Sequence, residues 1–499
     1  MKCWNSGSAG GWIGAPRHSR MVECRHGNSR CRSLPPATGD LSRKRRRSFS
    51  LSSRLDRGLS PRDDRAIVFD HGKRVSESGP DAGRRTLPGR FPEPPWSAAS
   101  GCELLESSMA IEPLDLARLY EEQFHGPPKW LVRAPGRVNL IGEHTDYNDG
   151  FVLPLAIDRA IWIALEPRDD GRVVVYSADF EQSGEFSLSG LKHERQGWLE
   201  YLKGVAWSLQ DAGYKLTGWQ GVVRGDVPRG AGLSSSAALE VAVTRAFAAV
   251  SGWPWEPVTM AKLGQRAENH WVGVNCGIMD QLISAAGRDS HALLIDCRSL
   301  ELAPVPFPSG IAVAILDTST RRGLVDSEYN ERRASCEAAA KAFQAAALRD
   351  VDMARFEREC DRLDPTIARR ARHVISENQR TLRAAEAMRR GDVESLGRLM
   401  DESHESLRSD YEVSSQALDA MVAAARSHPA CYGARMTGAG FGGCAVAVID
   451  AASGDDFRRH VADEYQKRTG LVPAVYVCRA TQGAKLVAWN PANENPAPE

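Results

Sequence analysis

Between residues 134 and 150 the chain reads APGRVNLIGEHTDYNDG, which places Arg137, Glu143, His144, Asp146 and Asp149 in one short stretch bracketed by glycines and a proline. Charge of this density is ordinarily spread over solvated helix faces. Gathered where the chain turns, it points to a polar ligand held on a rigid loop. A second stretch, GDVPRGAGLSSSAALEVAV from Gly225, speaks for anion binding. Gly230 and Gly232 permit close backbone approach, and Ser234, Ser235 and Ser236 stand where a long apolar helix begins. Free amides and the dipole at such a helix start attract phosphate, and serine hydroxyls offer a hard oxygen to Mg2+. An ordinary helix cap needs one serine; three after two glycines favour phosphate. No lysine follows the second glycine, so the stretch is not a Walker loop.

A third stretch, GAGFGG at 438–443, satisfies G-x-G-x-x-G but runs into the strand-like CAVAVID instead of opening a helix. The dinucleotide reading fails on that context. A glycine-rich turn lining a pocket and a plain hairpin turn both remain open. Asp280 in NCGIMDQ, taken alone, reads as a helix cap, and Glu268 in QRAENHW as a solvated helix residue.

The elements that must position these residues alternate. MAIEPLDLARLYEEQF is an amphipathic helix pattern, and WLVRAPGRVNLIG a strand running into a turn. RAIWIALEPRDDGRVVVYSADF reads as two strands around Asp-Asp-Gly; GWLEYLKGVAWSLQDAG has helical spacing and a glycine stop. WQGVVRGDVP is a short strand, PVTMAKLGQRAENHWVGV is helical, and ALLIDCRSL and IAVAILDT are strands. Residues 326–427 are dominated by helix, and the end returns to strand at YGARMTGAGFGGCAVAVID and AVYVCRA. Interleaved strands and helices without a fixed-period repeat indicate an α+β protein of two lobes.

The 499 residues balance 64 Lys+Arg against 64 Asp+Glu, but residues 1–108 hold 20 basic against 11 acidic and the remainder 44 against 53. The front is rich in Arg, Ser and Pro without helical or strand periodicity, so it is expected to be disordered. An organelle transit peptide, a nuclear signal on Arg45–Arg47 and a nucleic-acid arm compete with translation from an upstream start, and Met109 is the natural beginning of the folded part. No apolar run reaches membrane-spanning length. Eleven scattered cysteines without a CxxC point to a reducing compartment, and Cys24, Cys31 and His26 fit no common metal spacing.

The three motifs, in this order, resemble the GHMP superfamily of small-molecule kinases, and GRVNLIGEHTDY is similar to the galactokinase family in particular. The resemblance runs from about Leu116 to about Ala480. It implies a two-lobed α+β GHMP kinase fold with its active site in the cleft between an N-terminal domain at 109–300 and a C-terminal domain at 301–485. Residues 1–108 would be an extension and 486–499 a tail. The implied reaction is ATP-dependent phosphorylation of the anomeric hydroxyl of galactose.

By the resemblance, Asp280 and Arg137 meet at the reacting hydroxyl, Asp280 as base or as orienting group. Glu143, His144, Thr145 and Asp146, with the Gly277 amide and Tyr329, are expected on the sugar, because carboxylates accept strong charge-assisted bonds from hydroxyls. Ser177, Trp198, Gly230, Ala231, Gly232, Leu233, Ser234, Ser235 and Ser236 are expected around ATP, and Ser236 with Glu268 around Mg2+. Kinases of N-acetylgalactosamine or arabinose share the first motif in similar form. A galactose sensor would keep the fold while damaging the serine loop, which is intact here. A cytoplasmic monomer without nucleic-acid or membrane partners is expected.

Overall fold

The computed structural model describes residues 111–228, 232–320 and 325–489. The basic extension expected at 1–108, Gly230, Ala231 and the tail from 490 onward lie outside the described residues.

Helix α1 (Pro113–Phe124) starts on a proline, which needs no N–H partner there, and leads to β1 (Trp130–Asn139), β2 (Phe151–Val152) and β3 (Pro154–Arg168). Next come β4 (Arg172–Ser177), β5 (Gln182–Ser187), α2 (Leu199–Asp211) and β6 (Gly218–Gly225). Helices α3 (Ser235–Ser251) and α4 (Pro257–Arg266) follow, then a π-helical turn, Ala267–Val272, and α5 (Met279–Ala286). Strands β7 (His291–Asp296), β8 (Leu302–Pro306) and β9 (Ile311–Asp317) precede a helical block. It comprises α6 (Val325–Ala342), α7 (Met353–Glu359), α8 (Pro365–Arg389), α9 (Val393–Ser409) and α10 (Gln416–Arg426). Strands β10 (Cys431–Met436) and β11 (Cys444–Asp450), helix α11 (Gly454–Thr469), β12 (Ala474–Cys478) and β13 (Lys485–Ala488) complete the order.

One sheet runs β13-β1-β3-β6-β4-β5, a second β10-β11-β9-β12, and a third β2-β7-β8. The two strands expected around Asp-Asp-Gly form, but they do not pair with each other. Strand β6 inserts between them, antiparallel to β3 and parallel to β4. Parallel neighbours need a crossover, and α2 supplies it. Strand β8 pairs with β7, so the third sheet spans residue 300. Helix α11 and strands β2, β5, β8 and β13 were not expected from the sequence.

The second sheet explains why IAVAILD and CAVAVID read as unbroken apolar runs. Val313, Ile315, Val446 and Val448 face one buried cluster, and Ala314, Leu316, Ala447 and Ile449 face another. A strand covered on both faces has no solvated side to make polar. The first cluster also takes Ala238, Val241, Ala242 and Phe247 of α3, which packs against β1 and β3 and fixes its serine-bearing start beside the end of β1. Among the described residues no helix is long and apolar enough to cross a membrane.

Candidate active site

Arg137 lies near the end of β1, just past a register irregularity at Pro135, and is almost fully buried. Gly136 beside it leaves no room for a side chain, since a β-carbon there would lie 2.9 Å from Val227 Cγ1 and 3.1 Å from the Leu233 carbonyl. That closeness brings the serine loop onto the strand. The Arg137 amide donates to the Leu233 carbonyl at 3.3 Å, and Nη1 donates to the Gly232 carbonyl at 2.5 Å. The rest of the guanidinium grips Asp280 in a fork, with Nε to Oδ1 at 2.8 Å and Nη2 to Oδ2 at 2.6 Å. Ser234 Oγ donates to the same Oδ2. Asp280 occupies the second position of α5, so the helix start aims its carboxylate at both loops.

Ser234 precedes α3 in the left-handed region, at φ 55°, and its hydroxyl caps no amide of that helix. Non-glycine residues adopt this conformation uncommonly. Here it turns the hydroxyl toward Asp280, a bond that serine-rich sequence alone does not reveal.

The turn after β1 is shaped by Gly142, at φ +99°, where a β-carbon would press on the Phe151 carbonyl at 2.6 Å. His144 follows at φ 63°. Its Nδ1 lies 2.8 Å from the Tyr147 hydroxyl, and its ring packs among Tyr147, Tyr329 and Tyr411. Burial holds the imidazole well below its usual range, with His373, Arg332 and Arg435 adding to the effect. Asp146 is pushed up to about 6, first by burial and then by the charges of Asp280 and Glu143. Thr145 does not line the cleft: its buried hydroxyl sits within hydrogen-bond distance of the Gly142 and Phe151 carbonyls, with one proton to share between them, and props the turn from beneath.

Glu143 points into the cleft wall and is heavily partnered. One oxygen accepts from Thr437 Oγ1 at 2.8 Å and from the Gly438 amide, and the other accepts from Asn139 Nδ2. The Gly438–Gly443 turn is therefore both a hairpin turn between β10 and β11 and a cleft wall, since Gly438 and Ala439 line it. The C-terminal helices brace the same turn. Glu377 accepts from the Gly142 amide at 3.0 Å, His373 Nε2 lies 3.2 Å from the Glu143 carbonyl, and Asn378 accepts from the Phe151 amide at 2.8 Å. Fully buried Arg435 donates to the Leu140 carbonyl at 3.2 Å. None of these four braces carried a sequence signal of its own.

Two cavities open on either side of Arg137. One, of about 300 Å³, is lined by Glu143, His144, Asp146, Gly277, Asp280 and Tyr329. The other, of about 430 Å³, is lined by Ser177, Trp198, Gly232, Leu233, the three serines and Glu268. Arg137, Val274, Gly438 and Ala439 belong to both, so they form one continuous cleft. Phe180 stacks on Trp198 within the second.

Glu268 reaches that cavity through the π-helical turn. The extra residue per turn rotates its carboxylate onto Ser236 Oγ, which donates at 3.0 Å. Gln281 Nε2 donates to the other oxygen at 2.7 Å and also to Glu240 at 3.0 Å. Burial raises both carboxyls, Glu240 strongly; the charge of Glu268 adds to the rise at Glu240, and that of Asp280 to the rise at Glu268. A hydroxyl and a carboxylate side by side, on the wall of this pocket, suit a divalent ion. Among the described residues no three His, Cys, Asp or Glu side chains converge on one point, so a bound ligand would have to complete the shell.

The serine-led helix start, the hydroxyl-and-carboxylate pair and the Arg–Asp fork share one cleft, and the family matches give its class, a small-molecule kinase of the GHMP type. The GHMP kinase N-terminal domain matches residues 200–288, the GHMP kinase C-terminal domain 384–467 and the galactokinase galactose-binding signature 118–167. The chain is 47% identical over 381 residues to a galactokinase of Roseiflexus sp. (strain RS-1), covering 75% of this chain and 97% of that one. It superposes on the Lactococcus lactis galactokinase complexed with galactose with a TM-score of 0.71 at 35% identity, covering 74% of this chain and 99% of the other. The Methanococcus jannaschii mevalonate kinase shares the fold alone, with a TM-score of 0.53 at 18% identity over 70% of this chain and 98% of that one. The chain belongs to the galactokinase family.

Proposed function

We infer that the chain is an ATP-dependent kinase that transfers the γ-phosphoryl group to the anomeric hydroxyl of galactose. The observation that carries the assignment of roles is the Arg137–Asp280 fork at the junction of the two cavities. Galactose occupies the cavity of Asp146, His144 and Tyr329, and ATP the cavity of the serine loop, with Ser177 and Trp198 along the nucleotide. The Gly277 amide lies on the sugar side.

In the reaction the anomeric oxygen attacks the γ-phosphorus, the bond from that phosphorus to the β,γ-bridging oxygen breaks, and ADP leaves. Three donors fix the Asp280 carboxylate, whose remaining lone pairs orient the sugar hydroxyl and receive its proton. A loose phosphoryl-transfer transition state asks more for alignment than for base strength. Arg137 holds Asp280 and places positive charge where the phosphoryl oxygens gather theirs. Ser236 and Glu268 are the residues that would hold Mg2+. Bound there, the ion would neutralise phosphate charge.

The test is a panel of free sugars offered to purified protein with Mg-ATP, scoring ADP release. Galactose should give the highest kcat/KM. Preference for N-acetylgalactosamine or arabinose, or no turnover at all, would overturn the reading.

A further inference from the structure

A row of hydrogen bonds leads away from the cleft behind His144. Nδ1 lies 2.8 Å from the Tyr147 hydroxyl, which lies 2.7 Å from the Tyr411 hydroxyl, which lies 3.3 Å from Cys336 Sγ. Tyr411 and Cys336 are buried, and the Tyr411 ring lies tilted against both His144 and His373, with centroids 4.7 Å away in each case. At the other end His144 Nε2 is buried and has no hydrogen-bond partner among the described residues, in a residue that lines the sugar cavity.

The row can be polarised in only two directions, because each phenol has one proton. Imidazole nitrogen is a stronger acceptor than a phenolic oxygen, and a thiol is a weak partner in either role. The better arrangement has Tyr411 donating to Tyr147 and Tyr147 donating to Nδ1, which leaves the ring proton on Nε2. The Ala439 backbone lies near the ring and favours its charged form, without meeting hydrogen-bond geometry at Nε2, so it does not choose between the two neutral tautomers. Burial keeps the imidazole neutral near pH 7, so one nitrogen carries the proton and the other does not. Glu143 and Asp146, as carboxylates, only accept.

We propose that Tyr411, acting through Tyr147, is a positioning residue that fixes His144 as its Nε2–H tautomer, making it a donor to one hydroxyl oxygen of the sugar. The inference rests on galactose occupying this cavity. Without the Tyr411 hydroxyl, the Tyr147 oxygen loses its donor and is free to accept from Nδ1–H instead. Both tautomers then become available, and part of the population presents a bare nitrogen to the sugar.

The experiment combines the wild-type protein and Tyr411→Phe. In sugar-free wild-type protein labelled with 15N-histidine, the His144 nitrogens should show Nε2 protonated and Nδ1 bare; an Nδ1–H ring or a charged ring would overturn the proposal, whatever the variant does. In Tyr411→Phe the two nitrogen shifts should move toward each other. Galactose affinity should fall about five-fold, the worth of one neutral hydrogen bond, with kcat at saturating sugar retained. Across the monodeoxygalactoses, the loss should vanish for the one analogue lacking the hydroxyl that His144 reads. Unchanged affinity, or equal weakening for every sugar, would overturn it. Should wild-type protein bind no galactose, the functional reading fails while the tautomer still decides the relay.

Discussion

Gly277 and Asp146 meet so closely that a β-carbon at position 277 would overlap the Asp146 carboxylate. Glycine is required there by proximity, since 277 is not among the positions with a left-handed backbone. Gly277→Ala should displace Asp146 and raise the KM for galactose by on the order of 10- to 100-fold, with the KM for ATP nearly unchanged. Steady-state kinetics with each substrate varied in turn will check this.

Asp146 gives the enzyme a pH dependence. Its carboxyl is raised from 3.8 to about 6, chiefly by burial, so the form that accepts from sugar hydroxyls is lost as pH drops through about 6. The kcat/KM for galactose should fall about ten-fold per pH unit below that point. Stability moves the other way. Because the folded carboxyl binds its proton more tightly than the unfolded one, this group's contribution is full below 3.8 and is lost as pH rises through about 6. Asp146→Asn should abolish the acid limb of a kcat/KM profile and weaken galactose binding at pH 7.5; an unchanged limb would exclude Asp146 as its source.

The Arg137–Asp280 fork should be intolerant on both sides. Asp280→Ala should lower kcat by about 10²- to 10⁴-fold while galactose still binds, at reduced affinity. It also leaves a buried guanidinium half-partnered, which costs about 1–3 kcal/mol and should show as a lowered melting temperature. Arg137→Lys keeps the charge but cannot form the fork, and should lose much of the rate with less loss of stability. Near-normal turnover of Asp280→Ala would remove this residue from the chemistry.

Glu268 should matter to the nucleotide and not to the sugar. Glu268→Gln keeps the side-chain shape and its place beside Ser236 but removes the negative charge. The Mg2+ concentration for half-maximal rate should rise several-fold, while galactose affinity measured calorimetrically without nucleotide stays the same. A variant that loses galactose affinity and keeps its Mg2+ requirement would reverse that assignment.

Much of this cleft could be read from the sequence because its chemistry is crowded into short motifs. Ser234–Ser236 announced a helix start, and the clustered acids after Arg137 announced a ligand-bearing turn. The resemblance to a known family then paired Arg137 with Asp280. What escaped is side-chain direction and distant support. Thr145 has the same neighbours in sequence as His144 and Asp146, yet its hydroxyl faces down into the turn. Glu268 faces the serines only because one turn of helix is underwound into a π form. His373 braces Glu143 from 230 residues away, and no local pattern encodes such a contact. Helix α11 was legible in retrospect, since Phe457, Val461 and Tyr465 recur every four residues and are its buried row. So narrow a stripe among charged residues is easily passed over.

Strand β13 borders β1, closing the sheet that carries Arg137, although the two are separated by nearly the whole folded sequence. During synthesis on a ribosome, β1 is therefore made early and keeps a bare edge of peptide groups until residues 485–488 emerge. Throughout that interval it is open to pairing with a neighbouring nascent chain. Translation speed over the helical block thus sets how long the cell must shield that edge.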